Sequence, residues 1–131
     1  MSKINNKGQT LALFIILIPL IILLGSYAID IGYMKYNENK LNSINEMAVE
    51  YVLDNIDSLQ EGKTEELISQ NDDEINDVSI DVNTEEKTVK ITLSKNFKGV
   101  FGNFVDKDIY EAKSTYKGTI IDDEKKIERV R

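Results

Sequence analysis

The side chains with the greatest potential for chemistry in this sequence are its carboxylates, because the 131-residue chain contains neither cysteine nor histidine. That absence excludes zinc fingers, iron–sulfur ligation, thiol nucleophiles and Ser-His-Asp triads. Asp77 and Asp81 fall on the polar face of a predicted strand, whereas general acid–base catalysis needs a desolvated cleft. The sequence also lacks a glycine-rich phosphate loop and a nucleophile-elbow motif. We therefore predict that the protein is not an enzyme and has no catalytic residue, cofactor or metal.

The densest group of oxygen ligands is the acidic run Asn71-Asp72-Asp73-Glu74. Such a run resembles the ligand set of a calcium loop, but the EF-hand order of ligands with glycine at the sixth position is absent. We predict that residues 71–74 form a solvated loop, with a cation site as the alternative.

Charge is distributed unevenly along the chain. The net charge is −7, yet the only charged side chains before Asp30 are Lys3 and Lys7. The remaining chain is long enough for one small domain, and its surface is acidic. An acidic surface argues against a nucleic-acid partner, because binding to phosphates requires clustered cations.

No charged side chain occurs from Leu11 to Ala28, and most residues of this run are apolar. A helix needs about 20 apolar residues, within a range of roughly 17–25, to cross a bilayer. We therefore predict a leader at residues 1–8 and a transmembrane helix at residues 9–30, with membrane lipid as a partner. Lys3 and Lys7 place the N-terminus in the cytoplasm and the following domain outside it. The alternative is a secretory signal that is cleaved after Ala28.

Three features of this helix are candidate functional positions. Pro19 removes a backbone donor, which predicts a kink or local melting between Ile15 and Pro19. Gly25, Ala28 and Gly32 share one face, and small residues at such spacing allow another helix to approach closely. Asp30 is predicted to lie at the membrane edge, either as a boundary marker or as a charge paired with a neighbouring subunit.

The helical pattern continues beyond the apolar run as an amphipathic extension at residues 31–60. Apolar side chains recur at spacings of three, four or seven, at Met34, Leu41, Ile44, Ala48, Val52, Ile56 and Leu59. The asparagines between them, including Asn37 and Asn45, are expected to face mostly away from this stripe. We predict one continuous helix from Gln9 to Leu59 that stops before Gly62.

Residues 61–121 are predicted to form a small extracytoplasmic α+β domain. A short helical turn begins with Thr64 as its N-cap. Residues 78–82 and 89–93 alternate between apolar and polar side chains, which predicts an antiparallel hairpin. Residues 95–106 are expected to form a short helix or loop.

A third strand is predicted to end near Ile120 or Ile121. It is followed by a charged tail at residues 122–131, which we expect to be frayed or disordered. The predicted fold class is thus α+β and pilin-like, with a long N-terminal helix packed on a small antiparallel sheet.

The first fifty or so residues resemble the N-terminus of TadE/TadG-like pseudopilins, which accompany the Flp (tight adherence) pilus machinery. The resemblance is carried by a basic residue and glycine before a short apolar segment, a proline within that segment, and an acid and glycine at its far end. The corresponding residues are Lys7, Gly8, Gln9, Phe14, Pro19, Asp30, Gly32 and the helix from Leu41 and Asn42 to Ala48. The similarity implies a minor pseudopilin or assembly component that acts by packing against other pilin or Tad subunits.

The resemblance also implies possible processing between Gly8 and Gln9. Family members that are processed in this way carry glutamate at the fifth mature position, which is Leu13 here. This departure favours the uncleaved TadG-like branch. Cleavage after Gly8, cleavage after Ala28 and retention of the whole segment remain the three alternatives. Alternative functions are a membrane-anchored or secreted binding module with an acidic surface, or an accessory subunit of another membrane complex.

Overall fold

The structure is a computed structural model that describes residues 2–101 and 109–131. It contains two helices and four strands within those ranges, in the order α1 (Ser2–Asp54), α2 (Lys63–Asn71), β1 (Asp77–Asn83), β2 (Thr88–Lys98), β3 (Ile109–Ile121) and β4 (Glu124–Arg129). The chain divides into two compact units. One combines Met1–Tyr33 with Lys98–Ile109, and the other combines Met34–Phe97 with Tyr110–Arg131.

Helix α1 is continuous over 53 residues and passes through Pro19 without interruption. Local melting between Ile15 and Pro19, one of the two predicted outcomes, is therefore wrong, whereas a kink at Pro19 stays a prediction. The predicted end at Leu59 is also wrong, because α1 ends at Asp54. The side-chain amide of Asn55 donates to the Tyr51 carbonyl at 2.9 Å and so occupies an acceptor at the end of the helix.

Helix α2 begins differently from the prediction. Gly62 is its N-cap residue rather than the stop of α1, and it has a left-handed backbone with φ of 80°. Glycine adopts this conformation without the steric cost of a Cβ atom. Thr64 is buried within the first turn of α2, so its assignment as the N-cap is wrong.

The four strands form one antiparallel sheet in the order β1-β2-β3-β4. The predicted hairpin is confirmed: Val78 pairs with Leu93, and Ile80 pairs with Ile91. At the turn, the Asn83 side-chain oxygen accepts hydrogen bonds from the backbone N–H groups of Glu85 and Glu86. Asparagine commonly stabilises turns in this way.

Strand β2 is longer than predicted, since it continues through Lys98 where we expected a short helix or loop from residue 95. The alternation of buried and exposed positions persists, with Lys95 and Phe97 both buried. The Phe97 ring stacks on Tyr110 of β3 with ring centroids 5.6 Å apart. The sequence pattern failed here because a lysine occupies an inward position. The last part of the predicted segment, residues 102–106, lies outside the described residues.

Strand β4 replaces the frayed tail that we predicted for residues 122–131. Asp122 and Asp123 have φ of 53° and 65°, as expected for a two-residue type I′ turn between β3 and β4. Side chains of β4 then form ion pairs with acids of α1. Lys125 pairs with Glu50 and Asp54, and Arg129 pairs with Glu38. The charges that suggested a solvated tail are therefore partly used in tertiary contacts.

The core lies between α1 and the sheet, and it confirms the predicted apolar stripe. Its buried side chains come from α1, the turn that follows it, α2 and the inner positions of the central strands, and include Leu41, Ile44, Ala48, Val49, Val52, Leu53, Ile56, Ile68, Val89, Ile91, Leu93, Phe97 and Ala112. Because these positions repeat every three or four residues in α1 and every second residue in the strands, one face of each element is removed from water.

Two asparagines interrupt this apolar stripe, contrary to the expectation that they face away. Asn37 and Asn45 are both fully buried. The Asn45 side-chain nitrogen donates to the carbonyl oxygens of Ile91 in β2 and Ser114 in β3, at 2.9 and 3.0 Å. It also lies 3.2 Å from the Ser114 hydroxyl. One amide thus links α1 to two neighbouring strands at the centre of the core.

Gly118 determines how closely β3 approaches α1. A Cβ atom at this position would lie 2.5 Å from Cγ1 of Val49 and 2.8 Å from Cδ1 of Leu53. Both distances are shorter than carbon–carbon contacts allow. The absence of a side chain therefore permits the strand and the helix to pack directly against each other.

We predict that Gly118→Ala destabilises the fold by about 1–3 kcal/mol, because the added methyl group overpacks the core. Urea denaturation of the full chain in detergent measures the effect. Val49→Ala in the same chain should recover part of the loss, since it removes the atom that lies nearest to the new methyl group. Gly25→Ala is the matched control, because a Cβ atom there meets no described atom within 4 Å. Additive effects of Gly118→Ala and Val49→Ala would contradict the steric explanation.

A second prediction concerns the donor role of Asn45. Asn45→Ala should cost about 1–3 kcal/mol, because it removes the donor shared by two buried carbonyl oxygens. Asn45→Asp should cost more at neutral pH, since it places a carboxylate against those oxygens. Burial beside carbonyl groups raises the pKa of the new acid, so the protonated form is favoured in the folded state.

The loss of stability caused by Asn45→Asp should therefore grow as the pH rises above about 4, the ordinary pKa of aspartate. Denaturation measured across this pH range checks the sign. Asn39→Asp, at an exposed position of α1, is the control. A loss of stability that does not change with pH would show that the Asn45 amide stabilises the core by filling space rather than by donating hydrogen bonds.

Candidate functional site

The candidate site is the surface of α1 that contains the apolar run. Large apolar side chains here are exposed, among them Leu11, Leu13, Phe14, Ile15, Ile16, Leu17, Ile18, Leu20, Ile21, Ile22, Leu24, Ile29 and Ile31. Among the described residues, α1 is the one helix that is long and apolar enough to cross a membrane. Exposure on this scale distinguishes it from the core helix of a soluble domain, whose apolar positions would be covered. The N-terminal part of α1 is thus a candidate membrane anchor.

The predicted small-residue face is open. Gly25, Ala28 and Gly32 are all exposed. A Cβ atom added at Gly25 or Gly32 would meet no described atom within 4 Å. The structure therefore leaves this face accessible to a further helix. The proposed processing residues, Gly8 and Gln9, lie within the early turns of α1, and Pro19 is exposed in the middle of the apolar run.

Asp30 is the most constrained of the predicted site residues. Only 3% of its surface is exposed. Its two carboxylate oxygens accept hydrogen bonds from the backbone N–H groups of Val100 and Phe101, at 2.6 and 2.7 Å. These residues begin the connection that follows β2. A buried carboxylate is costly unless hydrogen bonds compensate it, and two charge-assisted bonds do so here.

Aromatic packing reinforces this attachment. The rings of Tyr27 and Phe101 meet edge to face, with centroids 5.1 Å apart. One turn before Asp30, the Ser26 hydroxyl donates to the Ile22 carbonyl within the helix. Sequence reasoning assigned Asp30 to the membrane edge but did not identify Val100 and Phe101 as its partners. Backbone donors have no residue-type signature, so only the tertiary structure could reveal them.

A second polar cluster surrounds Asp72, in the run that we predicted to be a solvated loop. Asp72 is buried, and its carboxylate lies 3.1 Å from the Lys95 ammonium group and 3.5 Å from that of Lys40. Lys95 also pairs with Glu74 at 3.3 Å. The prediction of solvation is thus wrong for Asp72, and the cation that approaches it is a lysine. Within the described part of the chain, no group of three acidic side chains is arranged to hold a metal ion.

The pKa values of this cluster reflect two opposing effects. Burial alone would raise the pKa of Asp72, but the hydrogen bond from the Glu74 N–H and the hydrogen bond and charge of Lys95 outweigh it, so that the pKa is lowered. Burial alone would likewise lower the pKa of Lys95, but Asp72 and Glu74 raise it. Both groups are therefore held in their charged forms, and the cluster is a structural ion pair.

Comparison with known proteins adds no assignment. No protein-family model, curated protein or solved structure matches the chain. Inferences about function therefore depend on the residues described above: an exposed apolar helix surface, an open small-residue face and a buried acid that anchors a connection.

We predict that the Asp72 pair makes stability depend on pH at the acid end. Because the pKa of Asp72 is lowered on folding, its contribution is present above the ordinary value of about 3.8 and is lost as the pH falls through the lowered value. At neutral pH, Asp72→Asn should cost about 3 kcal/mol, since it leaves Lys95 buried with a weaker partner.

Urea denaturation of both proteins between neutral and acid pH measures this difference. The stabilities of the wild type and Asp72→Asn should converge as the pH falls. The neighbouring exposed residue supplies the control, Asp73→Asn, which should behave like the wild type. A constant difference at all pH values would refute the electrostatic role.

Proposed function

We propose that the protein is a membrane-anchored subunit that acts by packing, as a minor pseudopilin or assembly component of a Tad/Flp-type pilus or a related surface apparatus. The apolar part of α1 spans the membrane with its N-terminus in the cytoplasm. The sheet and the second part of α1 form the extracytoplasmic domain. The partners are membrane lipid and other pilin or Tad assembly subunits.

The observation that carries this proposal is the change of surface along a single helix. From Leu11 to Ile31, α1 exposes apolar side chains, whereas from Leu41 to Leu53 its buried apolar side chains pack in the core beside the sheet. The first part of α1 is thus suited to a membrane or a helical bundle, and the second part belongs to a folded domain. This change of surface supports a subunit whose helix packs with other helices.

The open small-residue face supports the same proposal. Glycine and alanine at positions 25, 28 and 32 allow helix backbones to approach closely, and packing of this kind drives helix association in lipid. Bulky apolar residues dominate the other sides of the segment, where they suit contact with acyl chains. The face therefore has the properties of a contact site for a neighbouring transmembrane helix.

The proposal predicts a contact on one side of the helix. In cells that assemble the corresponding pilus apparatus, a photo-crosslinking amino acid at Ala28 should capture a pilin or assembly subunit. The same group at Ile16 should capture lipid, because at about 100° per residue Ile16 lies opposite Gly25 and about 120° around α1 from Ala28. Gly25→Leu and Gly32→Leu should each reduce the crosslink from Ala28, since the larger side chains keep the helices apart. Mass spectrometry identifies the products.

Determination of the mature N-terminus completes the test. A chain that begins at Gln9 supports prepilin-type processing, and an intact chain supports the uncleaved branch. A chain that begins at Ile29 would overturn the anchor. An intact anchor without a subunit crosslink from Ala28 would overturn the packing role and favour an anchored binding module.

A further inference from the structure

The connection after β2 is attached to α1 at the level where the apolar run ends. The last uncharged positions of that run are Ala28 and Ile29, and Asp30 follows directly. Asp30 holds the backbone of Val100 and Phe101, and Tyr27 contacts the Phe101 ring. The start of the connection is therefore fixed beside the last turn of the candidate membrane span.

This attachment also buries the Asp30 carboxylate, which would otherwise interrupt the exposed apolar surface of α1. Asp30 is buried, while Ile29 and Ile31 on either side of it are exposed. The exposed apolar surface of α1 thus continues from Leu11 to Ile31, and the next charged side chain along the helix is Lys35. At 1.5 Å per residue this stretch measures about 30 Å, which equals the hydrocarbon thickness of a typical bilayer. The far boundary of the hydrocarbon then falls close to Asp30.

The connection itself presents an apolar side chain at this level, since Val100 is 47% exposed. Lys98, also exposed, precedes it at the end of β2. On α1, Tyr27 and Tyr33 are exposed close to Asp30. Apolar side chains beside tyrosine and lysine are typical of the zone where acyl chains meet phospholipid head groups.

We propose that the start of the β2–β3 connection is a second membrane contact, in which Val100 enters the interfacial region of a phospholipid bilayer. Asp30 holds this contact against α1 through its hydrogen bonds from the backbone N–H groups of Val100 and Phe101. Phospholipid is the occupant because the patch is continuous with the exposed apolar surface of the helix and carries the side chains of an interface. The contact restricts rotation of α1 about its axis, since one side of the helix carries the connection. This inference rests on the membrane anchor of the proposed function.

Tryptophan fluorescence tests the contact, because the natural chain contains no tryptophan. Three single-tryptophan variants of the full chain are reconstituted in phospholipid vesicles: Val100→Trp in the connection, Ile16→Trp within the apolar run, and Glu85→Trp in the β1–β2 turn. Vesicles contain a nitroxide quencher either near the head group or near the end of the acyl chain. Circular dichroism confirms that each variant retains its helix and strands.

The expected result is a different quenching pattern for each variant. Trp fluorescence of Val100→Trp should shift to the blue and be quenched more strongly by the shallow nitroxide than by the deep one. Ile16→Trp should be quenched more strongly by the deep nitroxide, and Glu85→Trp by neither. Adding Asp30→Ala to Val100→Trp should reduce quenching by the shallow nitroxide, because the hydrogen bonds that hold the connection against α1 are lost. Adding Asp73→Asn should leave this quenching unchanged.

The outcomes separate this inference from the anchor on which it rests. Quenching of Ile16→Trp without quenching of Val100→Trp would overturn the second contact and leave the anchor intact. Absence of quenching from Ile16→Trp would overturn the anchor itself. Equal quenching of Val100→Trp and Glu85→Trp would indicate non-specific association of the domain with vesicles and would also overturn the contact. A blue shift without quenching would indicate that a protein surface, not lipid, covers Val100.

Discussion

The apolar stripe of α1 between Leu41 and Leu53 must be removed from water, and the inner face of the sheet covers it. Neither element could remain folded alone, since a small antiparallel sheet needs a second layer and a helix gains most of its stability from packing. Gly118 lets this contact become close by leaving room for Val49 and Leu53. The arrangement of the strands depends on this packing, because each must present its apolar positions to the same helix face.

Polar contacts select one arrangement from those that apolar packing alone would allow. Asn45 donates to carbonyl oxygens of two strands, which determines the position of β2 and β3 along α1. Lys125 and Arg129 join β4 to acids on α1. A displacement along the helix would leave buried carbonyl oxygens without their donor, and the cost of such groups makes the arrangement specific.

Asp30 has a comparable role in the other compact unit. An acid at the end of an apolar run first suggests a boundary between lipid and water. In the structure, its carboxylate is turned inward and binds the backbone of Val100 and Phe101, so that the surrounding helix surface stays apolar. The residue thereby combines two tasks, since it fixes a connection and removes its own charge from the exposed surface.

Periodicity was sufficient to predict the elements that bury one apolar face. The stripe of α1, the hairpin of β1 and β2, and the third strand follow from spacings of three to four or of two residues, because the backbone geometry of helices and strands imposes those repeats. The same reasoning identified the exposed apolar run as a candidate anchor. It also marked Gly25, Ala28 and Gly32 as a small-residue face, which the structure leaves open.

Only the tertiary structure decided the positions where polar residues enter the interior or where charges form pairs. Asn45, Asp72 and Lys95 are buried although their residue types indicate exposure, since each finds its partner on another element. Strand β4 is charged along its length, and it is held by acids that lie more than sixty residues earlier in the chain. A sequence pattern records the preference of each residue for water, whereas the partner that offsets that preference is determined by the fold.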